Sequence, residues 1–169
     1  MLKFAYIKKA ALLVLFLALL VLPSFASADT IINSSNNYIS EDTVWNMAGS
    51  PYILFNTVWV RGPATLTIEP GVIVKFAGNY SGINVFDGNI VAEGTAENPI
   101  YFTSINDSSI GSWGLNIARS PHSSFSHLNM RYSYGGIFMW DSIVLVDNIN
   151  IENSDQGVAM AGRGELTVT

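Results

Sequence analysis

Between Leu66 and Phe76 the chain places apolar side chains at Leu66, Ile68, Val72, Val74 and Phe76, every second residue on either side of Glu69-Pro70-Gly71. A period of two marks short strands with one buried face. Pro followed by Gly suits the two central positions of a type II turn, because Pro presets the first φ and Gly tolerates a positive second φ. The same alternation returns in Ile83-x-Val85, in Ile100–Ser104 and in later segments, with no helical periodicity after the amino-terminal region. The pattern predicts a chain built of short strands and sharp corners.

The strands repeat. Phe125-x-His127-Leu128-x-Met130 aligns with Val146-x-Asn148-Ile149-x-Ile151 at an offset of 21, and Gly136-Ile137-x-Met139 aligns with Gly157-Val158-x-Met160 at the same offset. Gly114-Leu115-x-Ile117 precedes Gly136 by 22, and Gly82-Ile83-x-Val85 precedes Gly114 by 32, the surplus falling partly in the polar loop Asn106–Ser112. A repeat of this length with two or three strands predicts a solenoid. A β-sandwich also gives short strands at regular spacing and is the alternative architecture. The register predicts interior ladders Leu115/Ile137/Val158, Ile117/Met139/Met160, Leu128/Ile149 and Met130/Ile151. Gly114, Gly136 and Gly157 mark one recurring corner, where a positive φ or close backbone approach is expected.

Leu66–Phe76, the corner Ala92-Glu93-Gly94-Thr95 and the strand Asn98–Ser104 resemble the opening rungs of secreted right-handed parallel β-helix proteins of the pectate-lyase-like superfamily. Trp45, Pro51–Leu54 and Val58-Trp59-Val60 resemble the lead-in of those proteins. The resemblance implies an all-β, right-handed parallel β-helix of about five rungs over residues 38–169, with 38–60 as an N-terminal cap. Trp45 and Trp59 are expected to be cap and core residues, and Asn148 to be a corner residue hydrogen-bonded to backbone. The superfamily carries lyases, hydrolases, esterases and adhesins, so it fixes no single activity.

Lys3, Lys8 and Lys9, the apolar run Ala10–Leu22 and Ala26-Ser27-Ala28 have the order of a secretory signal, expected to span residues 1–28. The apolar run is too short for a membrane span, which needs about 18–20 residues. Residues 29–37 are polar and aperiodic and read as a flexible mature terminus. Of 8 Lys and Arg, 3 fall in the signal, leaving 5 against 13 Asp and Glu. That balance excludes the clustered basic surface needed for nucleic acid, and leaves no membrane insertion once the signal is cleaved. There is no Cys, so stability must come from stacked apolar side chains and sheet hydrogen bonds. Glu165–Thr169 alternates like the start of another rung, with Leu166 and Val168 set one repeat after Leu145 and Val146. The chain is thus expected to stop inside the solenoid, with an open end that self-associates.

Candidate chemistry is sparse. His122 and His127 lie five apart, a spacing that shares no face on a strand or helix, so no metal site is read there; His127 reads as a turn residue donating to backbone. Arg119, Asp141 and Arg163 form a charged candidate, Asp141 falling between the two arginines by register, with Asp147 and Asp155 as further acids. The resemblance implies Ca²⁺-holding carboxylates and a basic Arg in lyases of the superfamily. Here the acids fall on different faces, so no catalytic residues and no resident cofactor are assigned. Trp113, Tyr134, Phe138 and Trp140 converge on neighbouring rungs and are the glycan-binding candidates, since exposed aromatic rings stack on sugar faces. The expected role is a secreted or cell-surface module, non-catalytic, presenting a sheet face to glycan or to a surface protein. The alternatives are the N-terminal part of a polysaccharide lyase or hydrolase with catalytic rungs beyond Thr169, and a structural spacer.

Overall fold

The computed structural model of the protein describes residues 28–78, 80–111 and 113–169. The expected signal segment lies outside the described residues except for Ala28. Eighteen short strands wind through six rungs. The first rung holds β1 (Thr30–Ile32), β2 (Tyr38–Ile39) and β3 (Thr43–Trp45), and the second β4 (Tyr52–Leu54), β5 (Val58–Arg61) and β6 (Thr65–Ile68). The third holds β7 (Ile73–Phe76), β8 (Ile83–Phe86) and β9 (Asn89–Glu93), and the fourth β10 (Ile100–Ser104), β11 (Gly114–Ala118) and β12 (Ser123–Ser126). The fifth holds β13 (Leu128–Arg131), β14 (Gly136–Trp140) and β15 (Ile143–Asp147), and the sixth β16 (Asn150–Glu152), β17 (Val158–Ala161) and β18 (Glu165–Val168).

Each strand pairs in parallel with the strand three places along the chain, which produces three six-stranded sheets. The first sheet runs β1-β4-β7-β10-β13-β16, the second β2-β5-β8-β11-β14-β17, and the third β3-β6-β9-β12-β15-β18. The fold is therefore an all-β parallel solenoid. Six rungs are present where about five are expected. The extra one arises because Thr30–Ile32, within the stretch read as flexible, pairs with Tyr52–Leu54, and residues 38–60 supply strands to the same three sheets.

Apolar side chains at alternate positions turn inward from all three sheets and fuse into one core. Leu115 lies over Ile137 and Ile137 over Val158, while Ile117, Met139 and Met160 form the parallel ladder. Met130 lies over Ile151, and Ile149 packs against the core. Rungs about 4.8 Å apart put each residue in van der Waals contact with its equivalents above and below, and full burial of one such side chain contributes roughly 1.5–3 kcal/mol. The last ladder differs from expectation: Leu166 pairs with Val144 and Val168 with Val146, a uniform offset of 22, so Leu145 faces solvent.

The corners are compact. Val72 N–H donates to Glu69 O across Pro70-Gly71, and Gly71 has φ +82°, as the turn chemistry requires. In the fourth and fifth rungs the corners after the second and third sheets each turn on one residue in the left-handed region. Arg119 and Asp141 follow the second sheet, His127 and Asn148 the third, and Tyr132 and Asn153 the first in rungs five and six. Gly136 has φ +55°, whereas no positive φ occurs at Gly114 or Gly157. The long offset of 32 splits between two loops: residues 94–99 stand where His127 alone stands a rung later, and the connection from β10 to β11 is longer than that from β13 to β14.

Polar groups inside the solenoid are paired at the corner between the second and third sheets. Ser120 and Ser123 are 2.6 Å apart through their hydroxyls, Ser123 Oγ accepts from Ile90 N–H, and Ser142 Oγ accepts from Ser120 N–H. Hydroxyls thereby replace backbone partners where the chain leaves the ladder, which removes the cost of burying unpaired N–H groups.

Candidate binding face on the second sheet

Because inward and outward residues alternate, the outer face of the second sheet is set by the residues between its interior ladders. One outward column runs Tyr38, Trp59, Asn84, Asn116, Phe138, Ala159, and the next runs Arg61, Phe86, Ala118, Trp140, Ala161. Phe138 is 40% exposed and Trp140 48% exposed, in agreement with their expected outward placement. Tyr38 stacks over Trp59 with ring centroids 6.4 Å apart. Aromatic rings thus occupy both ends of the face, with a pair of asparagines between them. Asn116 Nδ2 donates to Asn84 Oδ1 at 2.9 Å.

Two hollows share these asparagines. One of about 230 Å³ is walled by Trp59, Phe86, Phe138 and Trp140, with Ala118 among its lining residues. The other, about 540 Å³, lies toward the start of the strands and is bordered by Thr57, Tyr80 and Tyr134. Tyr134 is 57% exposed at its edge.

Trp113 behaves differently from its three companions. It is buried, its ring stacks flat on Phe76 at 3.9 Å, and its Nε1 donates to Tyr132 O. It packs the loop between the first and second sheets, so its ring is buried where an exposed platform is expected, and it still lines the larger hollow. Trp59 is corrected in the opposite direction: it stands on the outer face between inward Val58 and Val60, whereas Trp45 is buried as expected. Trp59, Asn84 and Phe86 are members of this face that sequence reasoning missed, and Asn116, expected on the outward column above Phe138, was not read as a binding residue; for Trp59 and Asn84 a signal was present. The signal was the shared form of Val58-x-Val60, Ile83-x-Val85 and Leu115-x-Ile117, whose middle residues all face outward.

The charged candidate is not assembled as expected. Arg119 reaches the rung above, donating from Nε and Nη2 to the two carboxylate oxygens of Asp87 at 2.7 and 2.8 Å. Its guanidinium also lies 3.8 Å from the Phe86 ring centroid. The hydrogen bond from Arg119 holds the Asp87 carboxyl below the ordinary carboxylate range, and Asp87 in turn pushes the guanidinium up. Asp141 instead accepts the backbone N–H of Arg163. Among the described residues no three His, Asp or Glu side chains gather into a metal-holding group. The side chain of Asn148 donates to the Asp147 carboxylate rather than to backbone. His127 does sit on a corner, but its Nδ1 is buried without a partner rather than donating to backbone.

No curated protein and no solved structure matches the chain. The family model described as a pectate-lyase-like β-helix domain matches residues 37–163, most of the solenoid. The chain belongs to the pectate-lyase-like β-helix family.

Proposed function

We propose that the protein is a non-catalytic module, exported from the cell, that binds glycan on the outer face of its second sheet. The observation that carries this reading is the group of rings around one hollow: Phe138 and Trp140 from rung five, Trp59 from rung two and Phe86 from rung three. Aromatic rings on a rigid sheet offer apolar platforms to sugar faces at little entropic cost, and the intervening asparagines offer hydrogen bonds to sugar hydroxyls. Arg119 is held by Asp87 rather than standing free, which suits a binding surface better than a base for proton abstraction.

A glycan array probed with labelled protein tests the reading. Weak binding, micromolar to millimolar, is expected, and a Phe138→Ala/Trp140→Ala variant should lose it while keeping its circular dichroism and melting curve. Equal binding by that variant would remove this face from consideration. A blank array would favour a spacer.

A further inference from the structure

The floor between the aromatic walls has a chemistry of its own. We propose that the glycan bound here is neutral and N-acetylated, its acetamido group seated on Asn84 and Asn116. This rests on the glycan-binding reading above and narrows it to one substrate class.

Charge is the first argument. Two cations stand beside the hollow, and one of them, Arg119, is engaged through Nε and Nη2 by Asp87. Arg61 lies over Trp59 and Phe86, 4.9 and 5.1 Å from their centroids, on the second rung rather than between the asparagines. Asp87 and Asp141 follow Phe86 and Trp140 at the corner, and the whole chain carries a formal charge of −5. A polyanionic sugar would meet Asp87 and Asp141 as well as the ring-bound Arg61 and Arg119 at the rim, and no cation among the residues that line the floor.

Hydrogen-bond complementarity is the second. After their mutual bond, each asparagine keeps unused capacity: an amide has two donor hydrogens and a carbonyl with two lone pairs. With Asn116 Nδ2 donating to Asn84 Oδ1, the pair still offers a free donor and a free acceptor side by side. An acetamido group presents the matching acceptor and donor.

Shape is the third. Ala118 points outward two positions after Asn116 on the same strand, directly between Phe86 above and Trp140 below. It is the smallest side chain in the middle of the face, and it leaves a slot beside Trp140, the Arg119 guanidinium lying 3.8 Å from the Phe86 centroid on the other side. The acetamido methyl fits such a slot, where a hydroxyl would be desolvated without a partner.

Isothermal titration with tri-N-acetylchitotriose, cellotriose and trigalacturonate decides the matter. The N-acetylated trimer should bind at least tenfold more tightly than cellotriose, and trigalacturonate most weakly. Asn116→Ala, checked for folding by circular dichroism, should shrink the tenfold preference to about twofold by weakening the N-acetylated trimer far more than cellotriose; Asn84→Ala should do the same. Equal binding of the two neutral trimers, or strongest binding of trigalacturonate, would overturn the inference and leave the glycan reading standing. Failure of all three to bind overturns the inference, and a blank glycan array would then overturn the broader reading as well.

Discussion

Met139 lies one rung below Ile117 in strict register, and both side chains are closed to solvent. One rung further down the same ladder, Met160 is 43% exposed. Met139→Asp should cost several kcal/mol, because the new carboxylate would have no partner in the apolar interior. Met139→Leu should cost under about 1.5 kcal/mol, and Met160→Asp much less than Met139→Asp. Urea melts of the three variants provide the measurement. An unperturbed Met139→Asp variant would overturn the interior assignment.

The interior was legible because ladders such as Leu115/Ile137/Val158 recur at a nearly constant offset, and a constant offset keeps inward residues inward. The outer face was less legible because its columns cross rungs of unequal length. The step from Trp59 to Asn84 on neighbouring strands is shorter than the step from Asn84 to Asn116. For the same reason the partner of Arg119 was misread: counting one short repeat downward finds Asp141, while the ion pair runs upward across the longer step to Asp87. The burial of Trp113 depends on its ring stacking flat on Phe76. No periodicity encodes that.

Gly136 and Gly157 occupy the same corner on successive rungs but meet different surroundings. A Cβ on Gly136 would meet the Gly157 carbonyl oxygen, and its φ is +55°. One on Gly157 has nothing within 4 Å. Gly136→Ala is expected to lower stability by about 2 kcal/mol or more, combining left-handed strain with a backbone shift. Gly157→Ala should stay within about 0.5 kcal/mol of wild type. Equal thermal shifts for the two variants would contradict the corner geometry.

The Asp87–Arg119 pair makes a pH-dependent prediction. The folded-state carboxyl titrates below its unfolded value because Arg119 hydrogen-bonds the ionised form. Its stabilising contribution is therefore full above the unfolded value of about 3.9, and is lost as pH falls through the lower folded value. Carbon-detected NMR titration of Asp87 should show the depressed midpoint, and Arg119→Gln should return it towards about 3.9. An unchanged midpoint in the variant would exclude Arg119 as the cause. Both groups are largely exposed, so salt should weaken the shift.

The sixth rung carries apolar residues where the inner rungs carry core, yet Val158, Met160 and Val168 are 37%, 43% and 69% exposed. The outer edges of β16, β17 and β18 have strand partners on one side only. Unpaired strand edges above an apolar surface are a template for association. The polypeptide Asp29–Thr169, expressed by itself, is expected to self-associate as concentration rises, burying that face against a second copy. Sedimentation velocity from about one to about one hundred micromolar would show the weight-average coefficient climbing. A Met160→Lys/Val168→Lys variant should remain monomeric over that range, because two charges at the interface cannot be buried without partners. A wild-type chain that stays monomeric throughout would mean that the exposed ladder of Val158 and Met160 is not enough to hold two copies together.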